Sequence, residues 1–186
     1  MKYQFADDYY RYYGCKIKWS SILNLFKDQS LWFLYLFRTL QAGCPSIIRQ
    51  ILYLLLFFHS KKYGLEIPLR VQIGKGFYMG HAYNITINSE AKLGNNINIH
   101  KGVTIGQENR GKRKGAPTIG DCVWIGVNTT IVGNIKIGDD VLIAPNSYVN
   151  TDVPSHSIVI GNPCKIIPRE NATENYINWI VDYNNI

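Results

Sequence analysis

Long apolar runs are what this chain most lacks. Its longest wholly apolar stretch covers residues 51–58, far short of the roughly 20 residues that a membrane-spanning helix needs. Cysteine is sparse too. Cys15, Cys44, Cys122 and Cys164 lie far apart, with no CxxC pair and no Cys/His metal spacing. That argues against a zinc or disulfide framework and favours free thiols in a reducing compartment. No basic-then-apolar leader opens the chain, which begins instead with Asp7, Asp8 and a tyrosine cluster. The expectation is a cytoplasmic protein, with peripheral membrane contact as the furthest its apolar N-terminal part would go. Acidic residues are outnumbered, 13 against 20 basic ones, for a net charge of +7 over 186 residues. Such a charge suits nucleic acid or a phosphate-bearing cofactor, and the length bounds the chain to one domain with a small addition.

What is present is a beat of six. An aliphatic residue falls at Ile119, Ile125, Ile131, Ile137, Ile143 and Val149, and earlier at Ile87, Leu93, Ile99 and Ile105. Glycine follows many of them, as at Gly94, Gly106, Gly120, Gly126 and Gly138, and a compact or β-branched residue sits two places before each. Neither a helix nor a hairpin repeats at six. A short strand, a turn and a repeat does, and three such strands close one triangular coil of a parallel β-helix. Each aliphatic then stacks on its counterpart one coil along, about 4.8 Å away. Ile87 should lie on Ile105, Ile119 on Ile137, Ile125 on Ile143 and Ile131 on Val149. Glycine, Asn or Asp should take the sharp corners.

Residues 1–63 lack the beat and read as an N-terminal helical segment. Ser30 is a candidate cap for a helix over residues 31–42, and Pro45 opens another that Gly64 stops. In the second, Ile47, Ile48, Ile51, Leu52, Leu55 and Phe58 form a wide apolar stripe, read as core or subunit contact, with a membrane-surface patch as the alternative. Residues 64–169 form the β-helix, and residues 170–186 read as a C-terminal helical tail. The beat breaks twice. Met79 to Ile87 is eight residues where six are due, and Ile105 to Ile119 is fourteen where twelve are due. Insertions in a solenoid map to corner loops, where chemistry usually sits.

Of four histidines, His81 lies in the first broken corner and His100 falls one coil along, within one position of it. His59 and His156 have no convergent neighbours in sequence. Glu66 opens the β-helix and is either the carboxylate that orients His81 or a solvent-facing rim residue. The loop Asn109-Arg110-Gly111-Lys112-Arg113-Lys114-Gly115 is basic and glycine-rich. It reads equally as a solvated loop or as a substrate or phosphate contact, and is too short and aromatic-poor for a nucleic-acid channel. A zinc site would need a third histidine beside His81 and His100, so no metal is expected; a zinc-dependent lyase of carbonic-anhydrase type is the alternative of another class.

The β-helix strongly resembles the hexapeptide acyltransferases, within them the serine acetyltransferase-like group. The resemblance rests on Gly64-Leu65-Glu66-Ile67, Gly74-Lys75-Gly76-Phe77-Tyr78-Met79-Gly80-His81, His100-Lys101-Gly102-Val103-Thr104-Ile105-Gly106, Pro117-Thr118-Ile119-Gly120-Asp121, Val123-Trp124-Ile125-Gly126 and Gly161-Asn162-Pro163-Cys164-Lys165. It implies a left-handed parallel β-helix, acetyl-CoA as co-substrate, and a homotrimer (or a dimer of trimers) with the site between prisms. It implies that His81 is the general base with Glu66 as its acidic partner. Gly106, Gly126, Ala144 and Lys165 would line the cofactor groove; His100, by its place on the edge, and Arg113, from the basic loop, are the candidates for acceptor contact.

Two departures from the group's pattern bear on the acceptor. An Arg-His pair that serves the amino-acid acceptor is replaced by Gly115 and Ala116, and the Asp that usually precedes the catalytic histidine is Gly80. The expected activity is therefore O-acetyl transfer to a sugar hydroxyl in cell-surface polysaccharide assembly, with serine O-acetylation as the alternative.

Overall fold

The computed structural model describes residues 4–18 and 22–182. Four helices come first: α1 (Gln4–Tyr13), α2 (Ile22–Lys27), α3 (Gln29–Ala42) and α4 (Ser46–Tyr63). Five coils of short strands follow. The first holds β1 (Leu65–Glu66), β2 (Gln72–Ile73) and β3 (Tyr78–Gly80); the second holds β4 (Ile85–Ile87), β5 (Lys92–Leu93) and β6 (Asn98–His100). The third holds β7 (Thr104–Gly106), β8 (Thr118–Ile119) and β9 (Val123–Ile125); the fourth holds β10 (Thr130–Val132), β11 (Lys136–Ile137) and β12 (Val141–Ile143). The fifth has β13 (Tyr148–Val149) and β14 (Ser157–Ile160), and β15 (Lys165–Pro168) folds back antiparallel on β14.

Three parallel faces result, running β1-β4-β7-β10-β13, β2-β5-β8-β11 and β3-β6-β9-β12-β14, the last closed by antiparallel β15. All four expected stacks are present as strand partners. The aliphatics fill the prism, and Ala91, Val103, Thr129 and Ser147 are buried beside them. The second break of the beat is larger than expected. Ile105 and Ile119 lie on adjacent faces, so only six residues were due between them. The surplus is extruded as a hairpin closed by Glu108 and Gly115, which exchange two hydrogen bonds of 2.9 Å, with a 3₁₀ turn at Gly111–Arg113.

The glycines that follow the aliphatics act differently from expectation, although other glycines do take left-handed corners. Gly94 and Gly120 do not have left-handed backbones; a Cβ on Gly94 would come within 2.5 Å of the Gly120 carbonyl oxygen, and one on Gly120 within 2.8 Å of the Gly138 carbonyl carbon. They are there because successive coils touch. The left-handed corners are shared by Asn and Asp (Asn84, Asn96, Asn128, Asp140, Asn146), by other glycines (Gly76, Gly102, Gly133) and by His81, Cys122 and His156. Side chains next to the glycines tie coil to coil. Lys75 N–H donates to Asn95 (3.0 Å), Asn95 N–H to Asp121 (2.7 Å), Asp121 N–H to Asp139 (2.7 Å) and Asp139 N–H to Ser155 (2.9 Å).

The helices cap the first coils. Asp28, not Ser30, caps α3, accepting from the N–H groups of Ser30 (2.8 Å) and Leu31 (3.2 Å). A carboxylate there also meets the positive end of the helix dipole. Arg38 of α3 and Asp8 of α1 form a fully buried pair at 2.7 Å. Arg38 donates onward to the carbonyls of Ile73 and Gly74, and Asp8 accepts from Phe77 N–H. Arg11 donates to Gly76, Asn98 and the Asn178 carbonyl, joining α1 to the coils and the tail.

Helix α4 ends as expected at Gly64 in a left-handed cap, but its apolar stripe faces outward: Ile47, Ile51 and Phe58 are 75%, 55% and 66% exposed. The helix docks through the narrower edge carrying Leu52 and Leu56. Among the described residues, no helix is long and apolar enough to cross a membrane. The tail is not the expected helix. Asn171, Asn175 and Trp179 all have left-handed backbones, and one such residue every fourth position breaks any right-handed run into separate turns. Ala172 and Ile177 are nonetheless buried.

Removing one partner of a buried ion pair leaves an uncompensated charge. Asp8→Ala should therefore cost about 3–5 kcal/mol in denaturant unfolding; a loss below about 1 kcal/mol would mean that the pair does not hold the cap.

Candidate active site

The corners between the third and first faces form one edge of the prism. Along it, coil by coil, lie His81 after β3, His100 at the end of β6, Gly126 after β9, Ala144 after β12 and the turn between β14 and β15. The edge runs about 4.8 Å per coil. His81 occupies the corner lengthened by two residues; it is exposed and its backbone is left-handed, with φ 53°.

His81 opens onto a cavity of about 500 Å³, within the range of small-molecule sites. The helical segment supplies most of its wall: Tyr12, Trp32, His59 and Tyr63 stand opposite Tyr78 and His81. Tyr12 is fixed by its hydroxyl, which donates to the Met79 carbonyl (3.2 Å) and accepts from Met79 N–H (2.9 Å). Burial pushes its phenol well above the usual range, so it stays neutral. His59 donates from Nε2 to the Gln29 carbonyl at 2.9 Å, and burial lowers its pKa.

His100 is half-buried and held on two sides. Its Nδ1–H donates to the Ile125 carbonyl at 3.0 Å, and its ring lies 4.7 Å from Trp124, which packs on Tyr176 of the tail at 5.1 Å. Burial, and secondarily the charge of His81, lower its pKa. Asp140 holds the tail, accepting from Ala172 N–H, Thr173 N–H and Thr173 Oγ1, and from His156 Nδ1 at 2.9 Å.

The other expected site residues divide. Gly126 and Ala144 share the edge with the two histidines. Gly126 also has a packing reason, since a Cβ would come 2.6 Å from the Pro145 nitrogen. Lys165 is exposed and pairs with Ile160 at the far end of the same face. Glu66 lies on β1 and accepts a long hydrogen bond of 3.5 Å from Thr86; it is not hydrogen-bonded to His81. Gly106 and Arg113 stand on a different edge, after β7, and Arg113 donates to the Asn150 carbonyl. Within one chain a face of the prism separates them from His81. Among the described residues, no three His, Cys, Asp or Glu side chains group as metal ligands.

Residues 116–151 match the bacterial transferase hexapeptide family of six repeats. Serine acetyltransferase 4 of Arabidopsis thaliana is 41% identical over 108 residues, covering 58% of this chain and 30% of the relative. Serine acetyltransferase of Staphylococcus epidermidis is 39% identical over 107 residues, covering 58% and 50%. Among solved structures, serine acetyltransferase of Neisseria gonorrhoeae in complex with serine superposes with a TM-score of 0.67 at 31% identity, covering 89% of this chain and 66% of that one. The chain carries the hexapeptide repeat and is similar to serine acetyltransferases over its β-helix. Its prism is accordingly the left-handed parallel β-helix of that family. This hexapeptide-repeat protein spans about 30–50% of the length of the curated relatives it matches.

Sequence reasoning missed the helical wall of the cavity. Tyr12, Trp32 and His59 belong to segments without the six-residue beat, and only tertiary packing brings them to His81. The tyrosine cluster near the N-terminus was the one available signal. The depressed pKa of His100 has a sign that can be checked. Its neutral form is favoured in the fold, so protonation opposes folding, and stability should fall as the pH drops below about 6.5 toward its folded value. A histidine NMR titration should find His100 below 6.5 and moving upward in His81→Ala; a His100 titrating above that value would contradict its burial.

Proposed function

We propose that this protein is an O-acetyltransferase that takes its acetyl group from acetyl-CoA, with His81 as general base. The observation that carries this reading is an exposed imidazole at an interrupted prism corner, opening onto a cavity of about 500 Å³, on a scaffold shared with serine acetyltransferases. A hydroxyl is a poor nucleophile at neutral pH. Neutral His81 takes its proton as the oxygen attacks the thioester carbonyl, and returns a proton to the departing thiolate. Backbone N–H groups at the corners are the candidate donors to the tetrahedral oxyanion. Glu66 would have to release Thr86 before acting on His81.

Gly126, Ala144 and Lys165 lie along the edge that leads away from His81, and acetyl-CoA would lie against them. Gly106 and Arg113 join the site only from a neighbouring prism, which supports a trimer with its sites between subunits. The outward apolar stripe of α4 supports burial against a further surface. Four free cysteines fit a cytoplasmic location.

For the acceptor, the relatives favour L-serine: they are named serine acetyltransferases, and the gonococcal structure holds serine. A second reading, transfer to a sugar hydroxyl, is favoured by the aromatic cavity wall and by Gly115 and Ala116, where the resemblance would place an Arg-His pair. Thiol release from acetyl-CoA, measured with L-serine against nucleotide sugars and oligosaccharides, separates the two. His81→Ala should lose at least about 10²-fold in turnover while keeping its thermal stabilisation by acetyl-CoA. Turnover near that of the parent protein would remove His81 from the role.

A further inference from the structure

Gly80 and His100 are strand partners on β3 and β6, side by side on the outer surface of the third face. The His100 ring lies across that surface from one neighbouring strand to the other. On the β9 side its Nδ1–H donates to the Ile125 carbonyl at 3.0 Å. On the β3 side a Cβ on Gly80 would come 2.5 Å from its Cδ2 and 2.7 Å from its Nε2. The missing side chain at position 80 is therefore what gives the ring its place. The ring's Nε2 ends up beside the backbone that leads directly into His81.

This fixes the chemistry of Nε2. With Nδ1 carrying the proton toward a carbonyl, the neutral imidazole presents a lone pair at Nε2. That atom has no hydrogen-bond partner among the described residues, and it is not sealed from solvent. Trp124, braced by Tyr176, blocks the ring from swinging away. Burial first, and the neighbouring His81 after it, disfavour a positive charge on His100, so its ring remains an acceptor at Nε2.

We propose that His100 is a specificity-determining residue, whose Nε2 accepts a hydrogen bond from a donor group on the carbon next to the reacting hydroxyl. The site then selects 1,2-diols and 2-amino alcohols over isolated alcohols. L-Serine and a pyranose share this feature, the first through its ammonium and the second through a vicinal hydroxyl. The inference rests on the reading of His81 as the base that faces the reacting hydroxyl.

Two variants separate recognition from structure. His100→Asn keeps an amide N–H near the place of Nδ1 and has nothing at Nε2, whereas His100→Gln places an amide oxygen near Nε2. Thiol release is measured with L-serine, with methyl glucoside, and with the matching alcohol that lacks the neighbouring donor. In His100→Asn the preference for the intact acceptor should fall at least about tenfold, expressed as a raised KM for that acceptor. KM for acetyl-CoA should be unchanged, and His100→Gln should recover part of the preference.

A second readout does not need turnover. In protein labelled with 15N-histidine, the intact acceptor should shift the His100 Nε2 resonance and the analogue should not. Turnover with an unaltered preference in His100→Asn overturns the inference and leaves the base assignment standing. A resonance that responds without turnover overturns the transferase reading alone. Neither response overturns both. L-Serine and methyl glucoside, as separate arms, identify which donor the site takes.

Discussion

Direct contact between the backbones of successive coils is the constraint on which the rest of this molecule depends. Strands must lie one hydrogen-bond spacing apart, so every residue that faces a corner is pinned against its counterpart above and below. The Asn95-Asp121-Asp139-Ser155 ladder and the side-chain-free positions at Gly94 and Gly120 both answer this requirement. Because the spacing is fixed, an edge of the prism is a ruler, and His81, His100, Gly126 and Ala144 are marks on it.

The cap works by a different physics. Nothing repeats there, and the attachment is made by buried charge. Asp8 and Arg38 meet away from water and satisfy their remaining groups on backbone from the first coil. Burying such a pair gains little by itself, but it demands one geometry. That geometry sets Tyr12 against Met79 and closes the wall of the cavity over His81. The tail plays a matching part on the other side, with Asp140 gathering the turn at Thr173 and Tyr176 reaching Trp124 behind His100.

The prism was legible because its signal is periodic. Each of the stacks from Ile87 on Ile105 to Ile131 on Val149 follows from the spacing of one residue type, and the lengthened corner at His81 follows from a miscount in the same series. The cap of α3 was misread as Ser30 because Asp28 lies just outside the apolar pattern, and only coordinates show its oxygen on two N–H groups. The outward turn of the α4 stripe could not be read from the sequence either, since a helix apolar nearly all round gives no sign of which edge docks. The tail failed as a helix through three left-handed residues; two of them, Asn171 and Asn175, are of the type that favours such corners, whereas Trp179 gives no such sign. The cavity wall was invisible for a deeper reason: Tyr12, Trp32 and His59 converge on His81 through contacts that span dozens of residues, and no local spacing encodes them.

Coil length varies in this prism while coil height does not. The corner at His81 absorbs two surplus residues and the hairpin closed by Glu108 and Gly115 absorbs a longer surplus, yet the strands on either side remain in step. Lengthening an existing excursion costs little, about 0.6 kcal/mol for each doubling. Vertices are thus the places where such a scaffold can be re-equipped by grafting, one segment at a time, while its close-packed walls tolerate little change in side-chain size.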